Sequence, residues 1–197
     1  MTLARDIEFL YEIGSLKNIQ RGWRQHFGSD VANILEHSFR VAWIALMIAR
    51  TEGVTSEEKI LKMVLVHDLA ESRTTDLSYV QKVYVHADED KAARDLLDKT
   101  SLPDFYSEIL KEYEERKSIE AKIVKDADNL DVDIELKELE ERGSLLPGKW
   151  KTFRQKVRNE KLYTKTAKAL WDEIEKSDPA SWHMTANKWV KIASAGK

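Results

Sequence analysis

The sequence has no cysteine, which excludes disulfides, thiolate zinc sites and cysteine nucleophiles and fits a reducing compartment. Helix breakers are scarce, with 7 glycines and 3 prolines in 197 residues. No long hydrophobic run is present. The longest uninterrupted apolar stretch, residues 41–49, falls far short of the ~20 residues that cross a bilayer as a helix. The opening Met1-Thr2-Leu3-Ala4-Arg5-Asp6 sets charge where a signal peptide carries its apolar segment. A basic excess is also missing: the net charge of -3 offers no field to hold a nucleic-acid polymer. These absences imply a cytoplasmic protein with neither a membrane nor a nucleic-acid polymer as partner.

What is present reads as helix. Hydrophobic residues make up 42% and charged residues 34%, which is the composition of a folded globular chain. The length suits one domain, residues 1–197, and would crowd a second. Apolar residues recur at helical spacing and strict alternation is nearly absent, so we expect an all-α fold. Helices are predicted over residues 3–16, 31–52, 55–71, 87–99, 104–117, 119–142 and 162–176. Loops are expected at 17–30 and 72–78. Asp30 is expected to cap the second helix and Gly53 to end it. Thr55-Ser56-Glu57-Glu58 reads as a capping box. Gly143 and Pro147-Gly148 are expected to stop the long helix, and Asp178-Pro179 to open a last one.

Polar side chains fall where the core should be. Ile34, Val41, Ile44 and Ile48 form one helical face, and His37 lies on it. A lone histidine there is most simply a buried neutral ring with a hydrogen-bond partner. The next helix runs Met63-Val64-Leu65-Val66 directly into His67-Asp68. A buried carboxylate must find a cation, and this apolar run offers none nearby. Neighbouring residues sit about 100° apart around a helix, so His67 and Asp68 can reach one point, with Glu71 overhanging it. In the stretch from Ile123 to Ile134, Asp128 lies at the margin of an apolar face, beside Asp126, Asp131 and Asp133. Alone, that stretch is equally a solvated acidic face. Two imidazoles and two carboxylates on three helices suit one divalent transition ion such as Mn, Fe, Co, Ni or Zn.

The order His37, His67-Asp68, Asp128 resembles the HD superfamily of metal-dependent phosphohydrolases. Further segments look like its 5'-deoxynucleotidase branch and HD-domain relatives. They are Arg21-Gly22-Trp23, Glu36-His37-Ser38, His67-Asp68-Leu69-Ala70-Glu71, Thr75-Asp76 and Val124-Lys125-Asp126-Ala127-Asp128-Asn129-Leu130. The resemblance covers roughly residues 3–143. It implies a single-domain HD-type helical bundle, with a metal-site core at about 30–143 and C-terminal helices at 149–197 packing on it. It further implies that His37, His67, Asp68 and Asp128 bind a metal, with cobalt, manganese or copper supporting activity. Glu71 and Asp76 would serve catalysis, Arg21 would contact the phosphate and Trp23 the nucleoside of a small-molecule nucleotide. A homodimer is implied as well. Three departures stand out: the loop that usually reads Gly-Asp-x-x-Pro has Thr75-Asp76-Leu77-Ser78, without the glycine before Asp76 or the proline after it, and Ala32 stands where an acidic residue is common.

Competing expectations are an HD phosphohydrolase acting on a triphosphate or cyclic nucleotide, and a non-catalytic metal-binding interaction module. Triphosphate binding would want clustered cations, for which Arg21, Arg24, Arg40 and Arg73 are available. Trp150, Trp171, Trp182 and Trp189 read as packing or dimer contacts. His26 lies close enough to Arg21 to border a pocket.

Overall fold

The computed structural model describes residues 2–28 and 31–184, and all named elements among them are helical. Helix α1 spans Leu3–Gly14, and the Thr2 side chain accepts a bond from Arg5 at its start. A 3-10 turn, Ser15–Asn18, follows, and another spans Gln81–Val83. Helices α2 (Arg24–Phe27), α3 (Ile34–Glu52), α4 (Glu57–Val66), α5 (Glu71–Thr74) and α6 (Glu89–Leu97) come next. A π-helical segment, Phe105–Leu110, runs into α7 (Lys111–Glu115). The long α8 (Ile119–Glu141) precedes α9 (Leu146–Glu160), α10 (Lys165–Lys176) and α11 (Ser181–Met184). The sole backbone bridge outside the helices among the described residues joins Gln20 and Asn33 antiparallel.

Several ends differ from the sequence expectation. Asn33, not Asp30, caps α3: its side chain accepts from Leu35 and Glu36, and Glu36 bonds back to the Asn33 N–H. Asp30 lies outside the described residues, as does Trp189. No capping box opens α4. Ser56 instead donates to Glu120 of α8 at 2.8 Å, and Glu58 pairs with Lys62 at 2.6 Å. The chain at 17–30 contains the short α2. Helix α4 ends at Val66, so His67 to Ala70 form a turn before α5. Pro147 does not stop a helix; it sits in the first turn of α9, where its missing N–H costs nothing. Gly53 does end α3, in the left-handed conformation at φ 74°.

The core lies between α3, α4, α8 and α10. Val41, Ile44 and Ile48 meet Ile60, Met63 and Val64, then Ile123, Ala127 and Leu130, with Ala167 and Trp171 closing one end. Each large apolar side chain buried there contributes about 1.5–3 kcal/mol. This packing fixes α3, α4 and α8 closely enough to aim polar groups inward.

Helix α8 is unusual in burying carboxylates. Asp126 accepts the Tyr163 and Thr164 N–H groups at 2.7 and 2.8 Å, plus the Thr164 hydroxyl at 2.8 Å. It thereby anchors the start of α10. Asp133 accepts two bonds from Arg154 of α9, at 2.8 and 2.7 Å. Arg154 also reaches the Asn129 carbonyl at 2.9 Å. Both partners of this pair are buried. We expect Asp133→Ala to strand the Arg154 guanidinium and destabilise the fold by about 3–5 kcal/mol. Urea denaturation checks this, and a change below about 1 kcal/mol, the scale of an exposed pair, would contradict it.

Candidate metal and phosphate site

Helix α3 carries His37 into the core, where it is fully buried. His37 Nδ1 lies 2.6 Å from Asp131 Oδ2 on α8. Arg40 donates to the other Asp131 oxygen, and to Glu138 Oε1 at 2.8 Å. Where α4 ends, His67 Nδ1 donates to the Val64 carbonyl at 2.7 Å. A carbonyl or carboxylate only accepts, so both rings carry a proton on Nδ1. Their Nε2 atoms face each other at 3.3 Å. Two lone pairs held that close repel unless a proton or cation lies between them.

Carboxylates complete the cluster. Asp68 Oδ2 is 3.3 Å from His67 Nε2 and 3.4 Å from His37 Nε2. Asp128 Oδ1 is 3.3 Å from His37 Nε2. One ligand atom from each of His37, His67 and Asp128 forms a set lying within 4.8 Å of one another. Asp68 stands outside that mutual set although it touches both rings. Imidazole nitrogen with carboxylate oxygen is a donor mixture suited to divalent transition ions, and the converging lone pairs fit a cation.

The charges divide accordingly. Burial and Arg21 oppose charge on His37, but its bonds to Asp128, Asp131 and Asp68 outweigh them and hold its pKa well above the ordinary histidine value. Burial, with His37 beside it, lowers His67 against the pull of Asp68. Burial also opposes ionisation of Asp68 and Asp128, yet their cations win. His67, His37 and Arg21 hold Asp68 below the usual carboxylate range. Lys125 and the two histidines do so for Asp128, and Lys125 Nζ donates to Asp128 Oδ2 at 2.7 Å.

Arg21 supplies the cation that the apolar run before Asp68 lacks. It comes from 47 residues upstream, and its Nη1 donates to Asp68 Oδ2 at 3.1 Å. Its Nε stands 3.5 Å from Asp76 Oδ2 and its Nη2 3.9 Å from Asp128 Oδ1. Gly22 N donates to the same Asp76 oxygen at 2.8 Å. A Cβ at Gly22 would stand 2.8 Å from both the Asp76 carbonyl oxygen and the Ser78 nitrogen, so this approach requires glycine. Thr75, where a glycine was expected, adopts φ 60° and ψ 162°, a strained backbone for a β-branched residue. The Arg21 guanidinium lies 4.6 Å from the centre of the Trp23 ring. Glu135 fixes that ring, accepting Trp23 Nε1 at 2.8 Å.

Glu71 opens α5. Its Oε2 is buried without a hydrogen-bond partner. Burial first, then the charges of Asp68 and Asp76, push its pKa up to about 9. The eight residues singled out in the sequence thus share one region. Direct contacts link His37, His67, Asp68, Asp128, Arg21 and Asp76. Trp23 joins through Arg21, and Asp68 and Asp76 act on Glu71 through their charge.

Sequence reasoning missed Asp131 as the partner of His37, and Glu135 as the anchor of Trp23. A signal was present, since both are carboxylates on a helix whose neighbours Ala127 and Leu130 are buried. The helix bearing Trp150 was expected only as part of the C-terminal helices at 149–197, and it begins earlier, at Leu146. Trp150 and His26 line a cavity of about 610 Å³ that is bounded as well by Arg21, Trp23 and Asp76.

Comparison with known proteins gives a consistent result. A family model described as an HD domain matches residues 13–177. The 5'-deoxynucleotidase HDDC2 of Danio rerio is 33% identical over 142 residues, covering 68% of this chain and 70% of that protein. The 5'-deoxynucleotidase HDDC2 of Dictyostelium discoideum is 28% identical over 167 residues, covering 76% and 85%. Among solved structures, a conserved hypothetical protein from Pyrococcus furiosus matches with TM-score 0.71 at 29% identity, over 87% of this chain and 99% of that one. A predicted metal-dependent phosphohydrolase from Magnetospirillum magnetotacticum matches with TM-score 0.64 at 25% identity, over 88% and 93%.

In protein stripped of metal by a chelator, the Glu71 carboxyl is expected to be protonated at neutral pH and to titrate near pH 9. Carbon-13 NMR of the glutamate carboxyls checks this. A Glu71 signal titrating near the ordinary value of about 4.3 contradicts it.

Proposed function

The chain belongs to the HD-domain family, and we propose that it is a metal-dependent phosphohydrolase that removes the 5'-phosphate from deoxynucleoside monophosphates. The observation that carries this reading is the pair of Nε2 atoms facing each other at 3.3 Å, flanked by carboxylates, with Arg21 alongside. In this proposal His37, His67, Asp68 and Asp128 hold one divalent transition metal ion, drawn from Co, Mn, Fe, Ni, Cu or Zn. Such an ion lowers the pKa of a water it binds and neutralises phosphate charge.

The remaining chemistry belongs to side chains. A phosphate monoester dianion repels an incoming nucleophile, so charge must be met where it develops. Arg21 grips the phosphate with its planar fork, exchanging part of its contact with Asp68 for phosphate oxygens. Glu71, raised toward neutrality, is placed to give a proton to the departing 5'-oxygen. Asp76, which accepts the Gly22 N–H and lies beside Arg21, is placed to orient the attacking water or take its proton, and the two carboxyl roles can be exchanged. Trp23, clamped by Glu135, presents a flat surface to the nucleoside. A monophosphate is further supported by the state of Arg40 and Arg73. The first is committed to Asp131 and Glu138, the second to Glu12 at 2.6 and 2.9 Å, leaving fewer cations for a longer phosphate chain.

We also propose a homodimer through α3, in the cytoplasm that the cysteine-free composition suits. Phe39, Trp43 and Met47 follow at four-residue steps on one face and are 69%, 54% and 58% exposed. Sedimentation velocity is expected to give a dimer that Trp43→Glu converts to monomer; a monomeric wild type contradicts the interface.

His67→Ala and Asp68→Ala are expected to lose both metal and phosphate release. Glu71→Ala is expected to keep metal while turnover falls by ~10² or more. Elemental analysis with a panel of nucleoside monophosphates, triphosphates and cyclic nucleotides reads both. Full activity without His67 or Asp68 would sink the metal site. Metal loss with Glu71 would make it a ligand, and release from triphosphates alone would refute the monoester assignment.

A further inference from the structure

Helix α9 contributes side chains that the metal and phosphate chemistry leaves unused. Trp150 and Phe153 line the same cavity of about 610 Å³ as Arg21, Trp23 and Asp76. That volume is in the range of small-molecule sites. Tyr79, which follows the Asp76 loop, borders it too. Phe153 and Tyr79 remain 63% and 68% exposed. Aromatic faces left open beside a charged pocket mark a ligand surface more than a packing defect.

These rings are braced rather than loose. Trp150 meets Phe27 edge-on, with ring centres 5.0 Å apart, and His26 at 6.2 Å. His26 in turn stacks on Tyr79 at 5.3 Å with planes 30° apart. The bond from Arg154 to Asp133 locks the next turn of α9 onto α8. The helix therefore holds its aromatic residues at a set position relative to Arg21.

We propose that Trp150 and Phe153, with Tyr79 opposite, form the nucleobase subsite of this enzyme. The inference rests on the phosphohydrolase reading and locates the far end of its substrate. A phosphate held by Arg21 leaves the sugar and base to extend into the space that Trp23 and α9 enclose. Every base has an apolar π-face, and stacking on aromatic side chains is strong enough to change affinity by a factor of ten or more. Lys149, also on the cavity wall, adds a positive charge to it.

The test compares 2'-deoxyadenosine 5'-monophosphate with 2-deoxyribose 5-phosphate, which has the same ester and no base. With manganese-loaded protein, Phe153→Ala and Trp150→Ala are expected to lower kcat/KM on the nucleotide tenfold or more, chiefly through KM. On the baseless sugar phosphate they should stay within twofold of wild type, and Trp150→Phe should recover most of the loss. Equal losses on both substrates, or no loss on either, overturn the subsite. Because Phe153 is exposed, its variant decides the matter even where Trp150→Ala misfolds. Calorimetric binding of the nucleotide to unmetallated protein provides a second readout. A wild type that binds the nucleotide more tightly than Phe153→Ala but hydrolyses neither compound refutes the hydrolase reading and leaves the subsite standing.

Discussion

Burying acid along one helix is the constraint around which this molecule is arranged. Asp126, Asp131, Asp133 and Glu135 of α8 are all buried, and Asp128 is partly so. Each would cost several kcal/mol if left unanswered, so each draws a different element of the chain toward α8. Asp126 takes the backbone at Tyr163 and Thr164, Asp133 takes Arg154, and Glu135 takes Trp23 and the Ala32 N–H. Asp131 takes His37 and Arg40. The same demands that assemble the bundle position the site. His37 points its Nε2 outward because Asp131 holds the opposite nitrogen, an arrangement that fixes tautomer and ring orientation together.

In the proposed function, Arg21 ties this framework to phosphate chemistry. A guanidinium among three carboxylates keeps its charge under all ordinary conditions. It satisfies Asp68 from a loop rather than from a neighbouring helical turn, so the cation is in reach of a ligand entering the cavity. Glu71, by contrast, has no such partner and is driven toward its neutral form. In that proposed function, placing a permanently charged arginine and a reluctantly ionised glutamate around one cluster would separate two tasks, phosphate binding and proton transfer.

Much of this was legible in the sequence, and what was not has physical reasons. The all-α fold followed from periodicity and scarce breakers. The interruption of the α3 stripe by His37, and the run from Val66 into His67-Asp68, marked polar groups facing inward. Helix ends were read less well. Asn33 outcompeted Asp30 because it could form a reciprocal box with Glu36, while Ser56 was diverted to Glu120. The acidic stretch of α8 stayed ambiguous because its partners, Arg154, Arg40 and the Thr164 backbone, lie 21, 91 and 38 residues from the acids they serve, in elements whose packing no local pattern reveals. The start of α9 was misplaced because Pro147 and Gly148 resemble a stop signal, although a proline in a first turn is equally a start.

The contact between Gly22 and the Asp76–Ser78 backbone has a consequence for how such a pocket can be remodelled. A single missing methyl lets two segments, 54 residues apart at their hydrogen bond, touch main chain to main chain. Lengthening or reshaping either loop alone would pry Arg21 away from Asp76, since Arg21 adjoins the glycine. Variation in substrate preference must therefore alter both segments in concert or leave both alone and work through the outer wall of the cavity. For anyone redesigning the pocket, the two loops are one mechanical part, and the cavity-facing aromatic positions of α9, not the Arg154 that Asp133 requires, can be varied without dismantling it.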